Sequence, residues 1–358
     1  MTEQHYLKTP EGLYFEDFYI GQTLKHGVPR TITTGDCSMY TALTGSRFAL
    51  HCADPVAQKL GFRTTPVDNF LVFHIAFGKT VNDISLNAVA NLGYAQCRFI
   101  ECVYPGDTLS VSSDVIGLKE NSNGKTGVVY VHSKAYNQKR QLVLEFKRWV
   151  MVHKRHAGFT RQENVIPELA DNVELTQQII PRQLDLTLWP NHVSDQQRRA
   201  SEFEVGDCIF HRDGITINDS DHSLATRLYQ NNARVHFDQH LMQHSKHGKC
   251  LVYGGHIISL CRALSYNGMG NAIWLSAIHS GSHVNPCFAG DTIYTQSQVL
   301  AINSLAHRDD LRLVTVRMLG IKNNIPEQMS WLSQQSEQGR QYHPDVVLDM
   351  RLSYLMPR

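Results

Sequence analysis

The sequence has little excess charge, no long apolar run and no closely spaced cysteine pair, and each absence excludes a class of protein. Its 358 residues carry a formal net charge of +1, with Lys and Arg scattered along the chain. Because nucleic-acid binding requires a basic stripe or patch, we expect no nucleic-acid partner. No apolar run is long enough to cross a bilayer, so we expect no membrane association.

The N-terminus and the cysteines together predict a cytoplasmic location. Residues 1–10 are polar and lack the apolar core of a secretory signal peptide. The eight cysteines stand singly between positions 37 and 287, without a Cys-x-x-Cys pair. This spacing is typical of reduced thiols that fill a core, and we expect no metal site.

An internal repeat is the main feature of the chain. Four short segments recur in the same order in both halves, three of them at an offset of 184 or 185 positions. The pairs are residues 18–21 with 203–206, 50–51 with 235–236, 106–109 with 290–293, and 143–146 with 347–350. With 42% apolar residues the chain can build two cores, so we predict two domains of similar fold.

The order of elements in each repeat predicts an α+β fold. Residues 70–81 and 256–266 are apolar on most faces, as expected of a helix enclosed by a sheet, and two shorter helices before them are expected to stop at Gly61 and Gly248. Residues 127–136 and 142–152 alternate as antiparallel strands do. A long antiparallel sheet wrapped around one buried helix is the hot-dog architecture, so the chain is predicted to be a tandem double hot-dog.

The repeat also predicts domain boundaries. Residues 1–155 form the first repeat, 156–200 a linker packed along the surface, and 201–358 the second repeat. The terminal segment 346–356 is interpreted as the last strand of the second repeat, and the polar segment 323–341 as an inserted loop.

The segment 229–238 (YQNNARVHFD) carries the strongest functional motif. It resembles the motif of the MaoC-like, or (R)-specific enoyl-CoA hydratase, family, in which an acidic residue precedes a histidine by five positions. The resemblance assigns the histidine role to His236 and the acidic position to Asn231. An amide cannot act as a general base, so we expect Asn231 to orient water or hydroxyl and His236 to move the proton. A histidine that merely packs against the next helix is the alternative.

The two repeats differ at this motif. His51 is the first-repeat counterpart of His236, but Ser46 occupies the acidic position. Gly254 and Gly255 lead into the buried helix of the second repeat and can offer free N–H groups as an oxyanion site, although glycines can also serve a tight turn. The first repeat has no such pair. We therefore expect catalysis in the second repeat, with the first shaping an acyl-CoA tunnel.

Longer stretches are similar to one branch of the family, the mesaconyl-CoA hydratases. They are residues 48–51, 69–93, 228–238, 253–268 and 347–358. The resemblance implies reversible addition of water to a branched enoyl-CoA that bears a carboxylate, with coenzyme A as part of the substrate and no separate cofactor. It also implies a cationic partner for that carboxylate. Arg234 and Arg47 are the candidates, and Tyr229 is a further candidate for substrate binding.

The sequence also allows two other functions. A thioesterase of the same fold would use a carboxylate on the buried helix, for which Asp68 is the near candidate, and a non-catalytic acyl-CoA-binding protein would not need an acid. A homodimer of fused chains is the preferred assembly and a monomer the alternative.

Overall fold

The strands of a computed structural model follow the predicted repeat. The structure describes residues 10–161, 163–189, 198–336 and 339–358. The first repeat contains strands β1 (Thr23–Thr31), β2 (Ala88–Phe99), β3 (Thr108–Glu120), β4 (Thr126–Tyr136) and β5 (Leu142–His153). The second contains β6 (Cys208–Thr216), β7 (Trp274–His283), β8 (Thr292–Leu305), β9 (Arg308–Lys322), β10 (Ser333–Ser336), β11 (Gly339–Tyr342) and β12 (Val346–Pro357).

The helices repeat in the same way. The first repeat has α1 (Thr34–Thr44), α2 (Ala49–Cys52), α3 (Asp54–Lys59) and α4 (Asn69–Lys79), followed by a π-turn (Val81–Ser85). The second has α5 (Asp219–Leu228), α6 (Gln239–Met242), α7 (Gly254–Leu264) and α8 (Tyr266–Met269). The 3₁₀ turns are Phe15–Asp17, Leu175–Gln177, Ala200–Glu202, Arg234–His236 and Pro326–Gln328.

One antiparallel sheet runs through both repeats. Its strand order is β1-β3-β4-β5-β2-β7-β12-β9-β8-β6, and β2 joins β7 through pairs such as Tyr94 with Gly281. Helix α4 is buried at every position and α7 at every position after Gly254, because each lies inside the curve of its own half of the sheet. The predicted α+β double hot-dog architecture is confirmed.

Several predicted bounds shift by a few residues. Helix α4 ends at Lys79, helix α7 begins at Gly254, and the predicted terminal strand is present as β12. Gly61 follows α3 closely with φ +85°, whereas Gly248 lies six residues beyond the end of α6 and does not stop it. The prediction for Gly248 was wrong because a positive-φ glycine also serves turns outside helices.

The segment predicted as an inserted loop, residues 323–341, is more ordered than expected. It contains the 3₁₀ turn Pro326–Gln328 and most of a hairpin formed by β10 and β11. The hairpin was missed because β10 reads Ser-Gln-Gln-Ser and is largely exposed, so it has no alternation of apolar and polar residues.

The connection between the repeats packs against both of them. Val165 forms a bridge with Leu118 of β3, and the N–H of Val173 donates to Nδ1 of His279 on β7 at 2.9 Å. Val173 and Leu184 are buried. Residues 190–197 of the predicted linker and residues 1–9 of the predicted first repeat lie outside the described residues.

All eight cysteines are free thiols in the structure. None of the helices in the described ranges combines the length and hydropathy that a bilayer crossing requires.

Candidate active site at the seam of the repeats

A cavity of about 330 Å³ lies where the two repeats meet, and we call it the seam cavity. The first repeat contributes α4, β2 and β5 to its wall, and the second contributes the 229–238 segment, the start of α7 and the end of β7. The polar or aromatic lining residues are Phe77, Ser85, Asn91, Tyr94, Arg148, Asn231, His236, Tyr253, His283 and Asn285. The predicted motif of the second repeat therefore faces a cavity that the first repeat helps to build.

His236 is held as a neutral base at the wall of the seam cavity. Its Nδ1 lies 2.9 Å from the carbonyl oxygen of Leu251. Because a carbonyl only accepts, Nδ1 carries the proton and Nε2 keeps its lone pair. Burial lowers the pKa of His236 to about 4, so the ring is uncharged at neutral pH. The side chain can accept a proton from a substrate.

Asn231 lies buried in the same wall. Its Oδ1 accepts a hydrogen bond from the N–H of Ala233 at 3.0 Å, and its own N–H donates to the carbonyl of Thr226 at 3.0 Å. These bonds fix the turn that leads to His236, and they leave the Nδ2 end of the amide as the donor end. The structure thus places Asn231 and His236 at one cavity, as the motif predicts.

The two glycines at the start of α7 have different surroundings. Helix α7 begins at Gly254, so the N–H groups of its first turn lack partners within the helix. Gly254 lines the seam cavity, and a Cβ there would lie 2.3 Å from Cε1 of His283. Gly255 is not a lining residue, and a Cβ there would lie 2.8 Å from Nδ1 of His74 on α4. Gly254 is therefore the better placed of the two to offer an amide to a ligand.

Three predicted substrate-binding residues lie elsewhere. Arg234 is exposed, and Tyr229 is buried against His74 with ring centroids 4.8 Å apart. Arg47 donates from Nη2 to Oδ1 of Asn267 at 2.9 Å and stacks on Tyr266. None of the three lines the seam cavity, so their predicted contact with substrate receives no support from the geometry. The motif placed them near His236 in sequence but did not determine where their side chains point.

Sequence reasoning missed several residues of the cavity wall. Arg148 lies on the face of β5 that also buries Phe146 and Val150, so a charge in the apolar phase of a predicted strand was the available sign. His283 ends β7, and its Nε2 lies 3.1 Å from the hydroxyl of Tyr94 on β2. Burial lowers the pKa of His283 to about 4. Nothing in the sequence around His283 distinguishes it from other strand histidines.

The first repeat has a histidine in the same geometry but no cavity of comparable size beside it. Nδ1 of His51 lies 3.0 Å from the carbonyl oxygen of Pro66, a contact that matches the one between His236 and Leu251 at the same sequence separation of 15. The space beside His51 is only about 20 Å³. Asp68, the carboxylate that a thioesterase would need, lies there and accepts a hydrogen bond from the N–H of Phe70 at the start of α4.

Comparisons with known proteins identify the family of the chain. The family model described as mesaconyl-CoA hydratase matches residues 6–325. A β-methylmalyl-CoA dehydratase of Chloroflexus aurantiacus is 50% identical over 98% of this chain and 99% of its own length. A mesaconyl-CoA hydratase of Cereibacter sphaeroides is 44% identical over 98% of this chain and all of its own length.

Solved structures show the same fold. A MaoC domain dehydratase from Chloroflexus aurantiacus superimposes with a TM-score of 0.94 at 50% identity and covers 99% of both chains. A protein of Mycobacterium tuberculosis with a double hot-dog fold has a TM-score of 0.73 at 22% identity, over 97% of this chain and 99% of its own.

Proposed function

The chain belongs to the mesaconyl-CoA hydratase family, and we propose that it adds water reversibly to mesaconyl-CoA to give β-methylmalyl-CoA. The protein is an acyl-CoA hydratase/dehydratase of the MaoC-like type. The observation that carries the proposal is the position of a neutral His236 in the same cavity wall as the free amide of Gly254. A base and an oxyanion donor are the two groups that elimination next to a thioester requires.

In the dehydration direction, the thioester carbonyl accepts a hydrogen bond from the N–H of Gly254. The positive end of the α7 dipole stabilises the enolate charge that develops on that oxygen. Nε2 of His236 removes the α-proton, and the amide of Asn231 donates to the departing hydroxyl. The hydroxyl takes the proton from His236 and leaves as water, and hydration follows the reverse path. The substrate is neither oxidised nor reduced overall, so the reaction needs no redox cofactor. Coenzyme A enters as part of the substrate.

The structure offers less to the two rival functions. Helix α7 contains no Asp or Glu, and Asp68 lies beside the 20 Å³ space of the first repeat. A thioesterase would therefore lack a carboxylate in the seam cavity wall. A protein that only binds acyl-CoA would not need an uncharged, oriented histidine beside a free helix amide. We further propose a cytoplasmic enzyme that works as a homodimer.

Replacing the histidine of each repeat tests the proposal. In His236→Ala, kcat for mesaconyl-CoA hydration should fall by about 10²- to 10⁴-fold, because the reaction loses its acid/base. The matched variant His51→Ala removes the equivalent ring from the first repeat and should keep kcat within about threefold. Loss of enoyl-thioester absorbance measures turnover. Equal losses in both variants, or release of free thiol by the native enzyme, would contradict the proposal.

A further inference from the structure

Among the described residues that line the seam cavity, Arg148 is the only one whose side chain is charged at neutral pH. It lies on β5 of the first repeat and is 1% exposed. A buried guanidinium is costly unless a carboxylate or a full set of acceptors compensates it, and such cations normally occur in ion pairs. What compensates Arg148 therefore indicates what the cavity binds.

The protein compensates Arg148 only with neutral groups. Nη2 donates to the hydroxyl oxygens of Thr80 at 2.8 Å and Ser85 at 3.3 Å, and Nη1 donates to Oδ1 of Asn91 at 3.4 Å. The guanidinium also stacks on Phe77 at 4.3 Å from the ring centroid. Within the described part of the chain, no carboxylate lies within salt-bridge distance of Arg148, although thirteen other Arg, Lys or His residues there form such pairs with Asp or Glu.

Two buried donors at this site, one on Arg148 itself and one on Asn91, have no acceptor. Nε of Arg148 makes no hydrogen bond, and neither does Nδ2 of Asn91. The Oδ1 of Asn91 faces Arg148, so its Nδ2 is correctly oriented as a donor. Native proteins rarely leave buried donors unpaired. Two unpaired donors at a cation that no carboxylate compensates indicate a site for an anion with several acceptor oxygens.

Burial does not remove the charge of Arg148. It lowers the pKa of the guanidinium only to about 10, so the side chain remains a cation at neutral pH. His236 and His283 line the same cavity and are uncharged at that pH, so they neither compete for an anion nor repel one strongly. The charge available to a ligand in the seam cavity is therefore the positive charge of Arg148.

We propose that Arg148 and Asn91 bind the free carboxylate of the acyl group, and so select acyl-CoA thioesters of short dicarboxylic acids. The proposal rests on the hydratase function, and it replaces Arg234 and Arg47 as the expected partners. The first repeat then supplies the carboxylate site and the second repeat supplies His236 and Gly254. The acyl group then contacts both repeats. The first repeat thus contributes to substrate binding although the space beside its own His51 is small.

Calorimetric binding of two saturated thioesters tests the proposal without depending on turnover. Succinyl-CoA carries a carboxylate where butyryl-CoA carries a methyl group. The native protein should bind succinyl-CoA at least about tenfold more tightly, as expected for charge-assisted hydrogen bonds in a buried site. Arg148→Gln should bring the ratio of the two affinities to about one, with the butyryl-CoA affinity kept within about threefold. Arg234→Gln is the matched control and should keep the native ratio.

Three results would overturn the proposal: no preference in the native protein, a preference that survives in Arg148→Gln, or equal weakening of both ligands in that variant. If Arg148→Gln does not fold, Asn91→Ala provides the test, because it removes one donor and no charge. It should weaken succinyl-CoA several-fold and leave butyryl-CoA unchanged, and an equal effect on both would contradict the proposal. Mesaconyl-CoA hydration, assayed in parallel, separates failure of the hydratase function from failure of the carboxylate site.

Discussion

Gly254 and His283 pack in direct contact, so a change at either residue affects the position of the other. The ring of His283 occupies the space that a side chain at position 254 would need, and the hydroxyl of Tyr94 lies 3.1 Å from its Nε2. Gly254 begins α7 and lines the seam cavity, so the absence of a side chain leaves its backbone accessible there. The glycine is thus required by this contact and not by its backbone conformation, because it is absent from the glycines with positive φ.

Gly254→Ala should therefore damage both stability and turnover. The new Cβ would force His283 away from Tyr94, an overpacking effect of about 1–3 kcal/mol in the free energy of unfolding. We expect kcat/KM for mesaconyl-CoA to fall at least about tenfold, because the amide and the ring at the cavity both move. Gly158→Ala is the control, since a Cβ at Gly158 has no atom within 4 Å. Full activity and stability in Gly254→Ala would show that position 254 accepts a Cβ without displacing His283, and would contradict this account of the packing.

At the scale of elements, helix α4 of the first repeat supports the catalytic segment of the second. A Cβ on Gly78 would lie 1.9 Å from the carbonyl oxygen of Tyr229, so the backbone before Asn231 rests directly on the helix. Nζ of Lys79 donates to Oε1 of Gln230, which has φ +53°. Arg30 on β1 donates to the carbonyl oxygen of Leu228. The first repeat therefore positions the motif that the second repeat carries.

Gly78→Ala tests this support. The clash is with backbone, which cannot rotate away as a side chain can, so the 229–231 segment must shift. We expect kcat to fall at least about tenfold and the free energy of unfolding to fall by about 1–3 kcal/mol. Gly35→Ala, at an exposed position of helix α1, meets only ordinary contacts and should leave both values unchanged or slightly raise stability. Native kinetics in Gly78→Ala, measured by steady-state assay, would show that α4 does not position the segment.

On the scale of the whole molecule, many histidines are buried. Burial lowers the pKa of five of them to about 4, namely His211, His236, His256, His279 and His283. In the unfolded chain each returns to a pKa near 6.5. The folded state therefore binds fewer protons than the unfolded state between about pH 4 and 6.5.

Stability should consequently fall with acid before the carboxylates titrate. The contribution of these histidines is complete above about pH 6.5 and is lost as the pH falls toward 4. At pH 5.5 each of these histidines should gain nearly one proton on unfolding. Urea unfolding, followed by tryptophan fluorescence at several pH values, gives the free energy of unfolding as a function of pH. The slope of that curve at pH 5.5 should correspond to an uptake of about four protons. His211→Gln should reduce the uptake by about one. A free energy of unfolding that is constant between pH 7 and 5 would contradict this account.

The sequence by itself determined the repeat, the α+β class, the buried helices and the terminal strand. These features depend on local periodicity, which residues 142–152 and 346–356 express as alternation of apolar and polar side chains. The motif also predicted His236, Asn231 and Gly254 as site residues from their spacing alone, and all three line the seam cavity. The difference between His236 and His51 was visible in the residues around them.

Only the tertiary structure decided that the site lies between the repeats. The pairing of β2 with β7 joins segments about 180 residues apart, and no local pattern encodes which strand edge meets which. That pairing brings Arg148 and Asn91 to the cavity that His236 faces, while Arg234, a near neighbour of His236 in sequence, points to solvent. Periodicity tells which face of a strand is buried, but the neighbours of that face are set by packing over long range.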